Sequence, residues 1–141
     1  MFEVSREIEF SYGHRLRDYS GKCRLAHGHN GRVVITLAAE LNPTGMVVDF
    51  NEIDASLKGW IDQTLDHRMI LREDDPLVEV LRAEGEPVVT LKDNPTAEVI
   101  AKLIFEYAAS RGLPVQAVTL YETSKAWARY PGRPPGGNDA G

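Results

Sequence analysis

FEVSREIEFSY, residues 2–12, sets Phe2, Val4, Ile8, Phe10 and Tyr12 on one side at period two. That pattern predicts a half-buried strand. RVVITLAAEL, residues 32–41, repeats it with Val33, Ile35, Leu37, Ala39 and Leu41. Between the two, residues 15–30 are polar, contain glycine and show no period, so they read as a long loop. NPTG at 42–45 marks a turn. The period then changes: Ile53, Leu57, Ile61 and Leu65 recur every four residues, with Trp60 beside them. This predicts an amphipathic helix that starts near Asp49 or Asn51. Pro76 opens a short helix over 76–84, and Val88–Leu91 extends briefly. Asn94-Pro95-Thr96 starts another helix. It runs from Ala97 to Ser110 on a face of Ile100, Ile104 and Tyr107, with Leu103 adjoining, and Gly112 stops it. Residues 115–123 and 125–130 read as two more strands. With no βαβ alternation in view, the expected class is α+β: a four-stranded antiparallel sheet with two main helices on one face.

The chain has 141 residues, 43% hydrophobic and 26% charged, with a net charge of −5. One domain over residues 1–130 is expected, and the Pro- and Gly-rich end, 131–141, reads as a disordered tail. No run of about 18 apolar residues predicts a membrane span. The N-terminus lacks the apolar stretch of an export signal, and one cysteine, Cys23, allows no internal disulfide. A cytoplasmic protein is the expectation. The negative charge argues against a general nucleic-acid partner, though a local basic cluster can still hold an anionic small molecule.

The segment with chemical content is Cys23-Arg24-Leu25-Ala26-His27-Gly28-His29. In extended chain, residues two apart point the same way. In a helix they would splay by about 200°. His27 and His29 can therefore share an ion if this segment enters the second strand. If the first two strands pair as a hairpin, His14, at the end of the first, meets them. Three imidazoles suit zinc and leave a fourth position open, as a catalytic zinc needs. The blander reading of an HxH in a loop is surface polarity.

Three further features admit two readings each. Cys23 either closes the site as a fourth ligand or acts beside it as a thiolate base or nucleophile. Lys22 and Arg24 flank it, and positive charge favours the thiolate. Asp66-His67 either ends the helix in solvent or holds the remaining histidine for chemistry. Glu122 extends the apolar row of Val118 and Leu120. It either sits at the solvent edge or binds a ligand with paired N–H donors.

Together these residues resemble the 6-pyruvoyltetrahydropterin synthase / 6-carboxytetrahydropterin synthase family. The matching pieces are FSYGH (10–14), KCRLAHGHN (22–30), GMVVDF (45–50), LDH (65–67), NPTAE (94–98) and YET (121–123). They run in the family's order and span about residues 2–130. The resemblance implies the tunnelling fold. In it, trimers close four-stranded sheets into a barrel and two trimers stack into a hexamer. It implies zinc on His14, His27 and His29, and Cys23 as the proton-transferring base. Asp66 and His67 would tune that base, reaching in from a neighbouring subunit. Glu122 would grip the pterin ring, and Thr96 matches a position lining the pterin pocket.

Three residues separate Cys23 from His27, a spacing similar to the bacterial carboxy branch; animal-type pyruvoyl enzymes have a longer gap. The implied reaction is zinc-dependent conversion of 7,8-dihydroneopterin triphosphate to 6-carboxy-5,6,7,8-tetrahydropterin. Triphosphate and acetaldehyde leave, as in the queuosine and deazapurine pathway. The alternatives are a pyruvoyl synthase using the same substrate and, more distantly, a non-catalytic protein whose structural zinc is closed by Cys23. The chain departs from the family pattern at Gly13, Gly31, Trp127 and Arg129, and its 72–93 stretch is longer than in short bacterial members.

Overall fold

The structure, a computed structural model, describes residues 1–132. Most of the tail expected over 131–141 lies outside the described residues. Strands β1 (Phe2–His14) and β2 (His27–Ala39) form a long antiparallel hairpin whose register pairs Phe2 with Ala39 and His14 with His27. The second strand thus starts inside the stretch expected as loop. What remains of that loop carries one 3₁₀ turn, Lys22–Arg24. The early start of β2 follows from pairing: β1 continues through Tyr12, Gly13 and His14, and His27–His29 supply the opposing backbone groups.

Four further strands complete the sheet: β3 (Arg68–Arg72), β4 (Val88–Leu91), β5 (Val115–Thr123) and β6 (Ala126–Tyr130). Their order is β4-β3-β1-β2-β5-β6. The four strands expected from the sequence, β1, β2, β5 and β6, pair antiparallel. The sheet is nevertheless six-stranded and mixed, because β3 joins β1 in parallel and β4 joins β3 in parallel. Helix α3 (Leu77–Ala83) bridges those last two, a βαβ unit the sequence reading did not anticipate. Its strands are short, and neighbouring Ile70 and Leu71 are both fully buried, so the alternation that marks a half-exposed strand is missing.

One side of the sheet is apolar. Ile8, Phe10, Val33, Ile35, Leu37, Val118 and Leu120 face a single core shared with the helices. Helix α1 (Phe50–Ile53) runs through a π-helical stretch, Asp54–Lys58, into α2 (Gly59–Thr64). Asp49 caps the start by accepting from the Asn51 N–H at 2.8 Å. Ile53, Leu57, Ile61 and Leu65 are all fully buried. Helix α4 (Ala97–Ser110) buries Ile100, Ala101, Ile104 and Ala108 against the same face, and Thr96 caps it through the Val99 N–H at 3.2 Å. Trp60 stacks on Tyr107 at 4.1 Å, tying the two helices together. Among the described residues, no helix is long and apolar enough to cross a membrane. The consequence for function is positional: at the end of the hairpin, His14, His27 and His29 extend the core-facing rows of β1 and β2.

Candidate metal centre

The register brings His14 opposite His27 and Tyr12 opposite His29, so three imidazoles converge on one side of the hairpin. Their ring centroids lie 4.5, 4.9 and 5.0 Å apart. One ligating nitrogen from each falls within 4.8 Å of the others. His14 is 2% exposed.

Backbone carbonyls fix two of the rings. His14 Nδ1–H donates to the Pro95 carbonyl at 2.7 Å, and His27 Nδ1–H to the Leu25 carbonyl at 2.7 Å. A carbonyl only accepts, so Nδ1 carries the proton in both rings and each Nε2 presents a lone pair. Those two Nε2 atoms lie 3.0 Å apart, while His29 Nε2 is buried with no hydrogen-bond partner. Facing lone pairs and an orphaned buried ring nitrogen are costly unless a cation lies between them. Zinc–nitrogen bonds of 2.0–2.1 Å at tetrahedral angles put ligand nitrogens about 3.3 Å apart, close to this spacing. The donor set therefore fits a zinc-like ion. Burial lowers the His14 pKa, against the opposing effect of its Pro95 bond, and so favours the neutral, ligating form.

Cys23 is half-buried and its thiol is not one of the converging ligand atoms. It lines a cavity of about 250 Å³ with His14, Thr96, Glu122 and Trp127. Glu122 Oε2 lies 3.9 Å from His29 Nε2. Four sequence-expected residues (His14, Cys23, Thr96 and Glu122) thus share one cavity, and the same hydroxyl of Thr96 that could face a ligand also caps α4.

Asp66 and His67 are elsewhere. Asp66 accepts from the Ser11 N–H at 2.8 Å and from His67 Nδ1–H at 2.8 Å. Burial pushes the Asp66 carboxyl up, but its hydrogen bonds to Ser11 and His67, with the charges of His67 and Arg68, hold it below the ordinary range. His67 is largely exposed and lines a separate cavity of about 580 Å³ with Ser11, Gly13, Gly28 and Asn30. Tyr12, His27 and His29 border the same cavity, which thus adjoins the histidine cluster but shares no lining residue with the Cys23 cavity. Within one chain, the Asp66–His67 pair does not reach the Cys23 cavity.

Residues 3–133 match the 6-pyruvoyl tetrahydropterin synthase family. The chain belongs to this family. It is 36% identical to a 6-carboxy-5,6,7,8-tetrahydropterin synthase of Rickettsia conorii, over 87% of the chain and 95% of that protein. It is 42% identical to one of Rickettsia bellii, over 72% and 75%. Among solved structures, an uncharacterised protein of Wolinella succinogenes superposes with a TM-score of 0.77 at 29% identity, covering 94% of the chain and 98% of its own. The 6-pyruvoyl tetrahydropterin synthase of Caenorhabditis elegans gives 0.71 at 30%, covering 94% and 96%.

Seen as a member of the 6-pyruvoyl tetrahydropterin synthase family, the chain has supporting residues that sequence reasoning missed. Pro95 and Leu25 act through carbonyls, which no side-chain pattern reveals. Tyr12 looked like one more apolar residue of β1. Its ring packs against His14 and His29, centroids 5.3 and 5.6 Å away, and its buried hydroxyl has no partner. Gly31 makes the room: a Cβ there would come within 3.0 Å of that ring.

Proposed function

We propose that the chain is a zinc-dependent 6-carboxytetrahydropterin synthase acting on 7,8-dihydroneopterin triphosphate. The observation that carries this reading is the shared cavity: a carbonyl-oriented histidine of the three-imidazole cluster, the only thiol and a carboxylate meet in it. Zinc bound by His14, His27 and His29 would supply Lewis acidity toward the side-chain hydroxyls of the substrate. The chain's own residues do the rest. Cys23 takes and returns protons at the side-chain carbons. Glu122 accepts two parallel hydrogen bonds from the guanidine-like edge of the pterin and fixes its orientation. Asp66 orients His67 through Nδ1, which leaves the other ring nitrogen free. That pair serves the reaction from a neighbouring subunit, since within its own chain it does not line the Cys23 cavity. One water is consumed, and triphosphate and acetaldehyde are the expected leaving products, as in queuosine and deazapurine synthesis.

The spacing of Cys23 and His27 and the names of the Rickettsia relatives favour the carboxy product. A pyruvoyl product is the second reading, favoured by the likeness to the C. elegans enzyme. Position of the thiol outside the histidine cluster speaks against a zinc site closed by Cys23. Incubation of the zinc-loaded protein with 7,8-dihydroneopterin triphosphate, with products resolved by mass, decides the matter. Carboxytetrahydropterin with acetaldehyde is expected. Pyruvoyltetrahydropterin would transfer the chain to the second reading, and intact substrate would remove both.

A further inference from the structure

The loop between β1 and β2 carries Cys23, yet few of its own residues are buried. What holds it lies elsewhere in the chain. Asn94 uses both ends of its amide on one loop residue: its Oδ1 accepts from the Arg17 N–H at 2.9 Å, and its Nδ2 donates to the Arg17 carbonyl at 2.9 Å. This is the bonding a neighbouring strand would offer, supplied by a single side chain. Inside the loop, the Leu16 N–H donates to the Cys23 carbonyl at 2.8 Å, so the cysteine end is tied to the residue next to the clamp. Arg15 adds a two-point contact with buried Asp75.

The residues that follow Asn94 are equally committed. The Pro95 carbonyl takes the His14 Nδ1–H, and the Thr96 hydroxyl caps α4. One three-residue turn therefore holds the cysteine loop, a metal-binding histidine and a helix start. We infer that Asn94 is a positioning residue for Cys23: its paired hydrogen bonds to Arg17 keep the 15–24 loop, and with it the thiol, in register with the histidine centre. The importance of that register for turnover rests on the function proposed above; the clamp itself does not.

The only cysteine in the chain makes the test clean, because every alkylation event reports on Cys23. In the zinc-loaded protein, the rate of iodoacetamide labelling is measured for the native chain, Asn94→Ala and Asn94→Asp. A neutral hydrogen bond is worth roughly fivefold in an equilibrium constant. Asn94→Ala loses both bonds and should change the labelling rate at least fivefold, with three-histidine zinc content retained. Asn94→Asp keeps the acceptor for the Arg17 N–H and should fall between the two. If Asn94→Ala fails to fold, Asn94→Asp and Asn94→Ser carry the comparison. An unchanged labelling rate in variants that fold overturns the clamp. Turnover is read on the same samples: kcat should drop about tenfold with KM little changed. A changed labelling rate with undiminished kcat upholds the clamp and instead overturns the role of Cys23 in the reaction.

Discussion

His14 and His27 each spend Nδ1 on a carbonyl, which leaves Nε2 as the atom each could offer to a metal ion. Removing His27 and His29 together deletes two of the three donors. The His27→Ala, His29→Ala double variant should purify with well under one-tenth of the native zinc, measured by atomic emission; full occupancy would refute the three-histidine site. Cys23 and Glu122 are expected to fail differently. Cys23→Ala should keep zinc and pterin binding while losing about 10²–10⁴ in rate, the usual worth of a positioned acid or base. Glu122→Ala should lose pterin affinity along with rate, read by pterin fluorescence titration. The histidines were legible in the sequence because an HxH spacing shares an ion only in extended chain, although the stretch holding His27 and His29 read as loop and pairing with β1 is what extends it. Tyr12 was not legible, because a buried tyrosine in an apolar row gives no sign that its ring braces two imidazoles. Asp66 and His67 could be named, but not placed. His67 sits in the left-handed region, at φ +58°, and no local pattern shows which side of the sheet such a turn leads to.

At the level of elements, the antiparallel strands were readable because one face is wet and the other dry. Strand β3 lacked that contrast, and although Val88–Leu91 read as a brief extension, which became β4, its parallel pairing with β3 was not foreseen. The same region contains the most buried charge. The Asp75 side chain is 0% exposed, accepts a two-point contact from Arg15 and receives the Leu77 N–H at the start of α3. Its hydrogen bond to Arg15, followed by the Leu77 bond and the charges of Arg15 and Arg17, holds the carboxyl below its ordinary value against the effect of burial. A carboxyl depressed in the folded state adds stability above its unfolded pKa and loses it as pH falls through the folded one. Thermal melts should therefore show Asp75 contributing at neutral pH and losing its contribution progressively below about pH 4. Asp75→Asn should flatten that acid slope. Asp75→Ala should cost about 3 kcal/mol at pH 7 by leaving Arg15 unpaired.

For the whole molecule, the open questions are the two sheet edges and one apolar surface. The edges are β4 and β6, both short. Phe2, Leu41, Met46 and Phe50 are 57%, 45%, 40% and 47% exposed and border one hollow beside the start of β1. A clustered apolar surface of this kind is where a contact with a second copy of the chain is expected, and joined edges would remove a hazard of open sheets. Light scattering at micromolar concentration should give a multiple of three, with a hexamer expected, and Phe2→Glu should weaken it. A native monomer would refute the shared barrel. It would also leave His67 of each chain without a thiol to serve, so assembly and turnover should rise together on concentration.

The π-helical stretch, Asp54–Lys58, has an implication for how this helix tolerates changes in length. A strict four-residue repeat drifts by about 40° per step on an α-helix. Ile53, Leu57, Ile61 and Leu65 nevertheless all stay fully buried, because the wider turn absorbs one residue more than the α-helical path needs. Deletion of exposed Ala55 would convert the repeat to the 3-4-4 spacing of an ordinary α-helix while leaving both helix ends where they are. The segment is thus a built-in slack point. A one-residue deletion there should fold and melt close to the native chain, whereas the same deletion within α4 should rotate Ile104 and Ala108 out of the core.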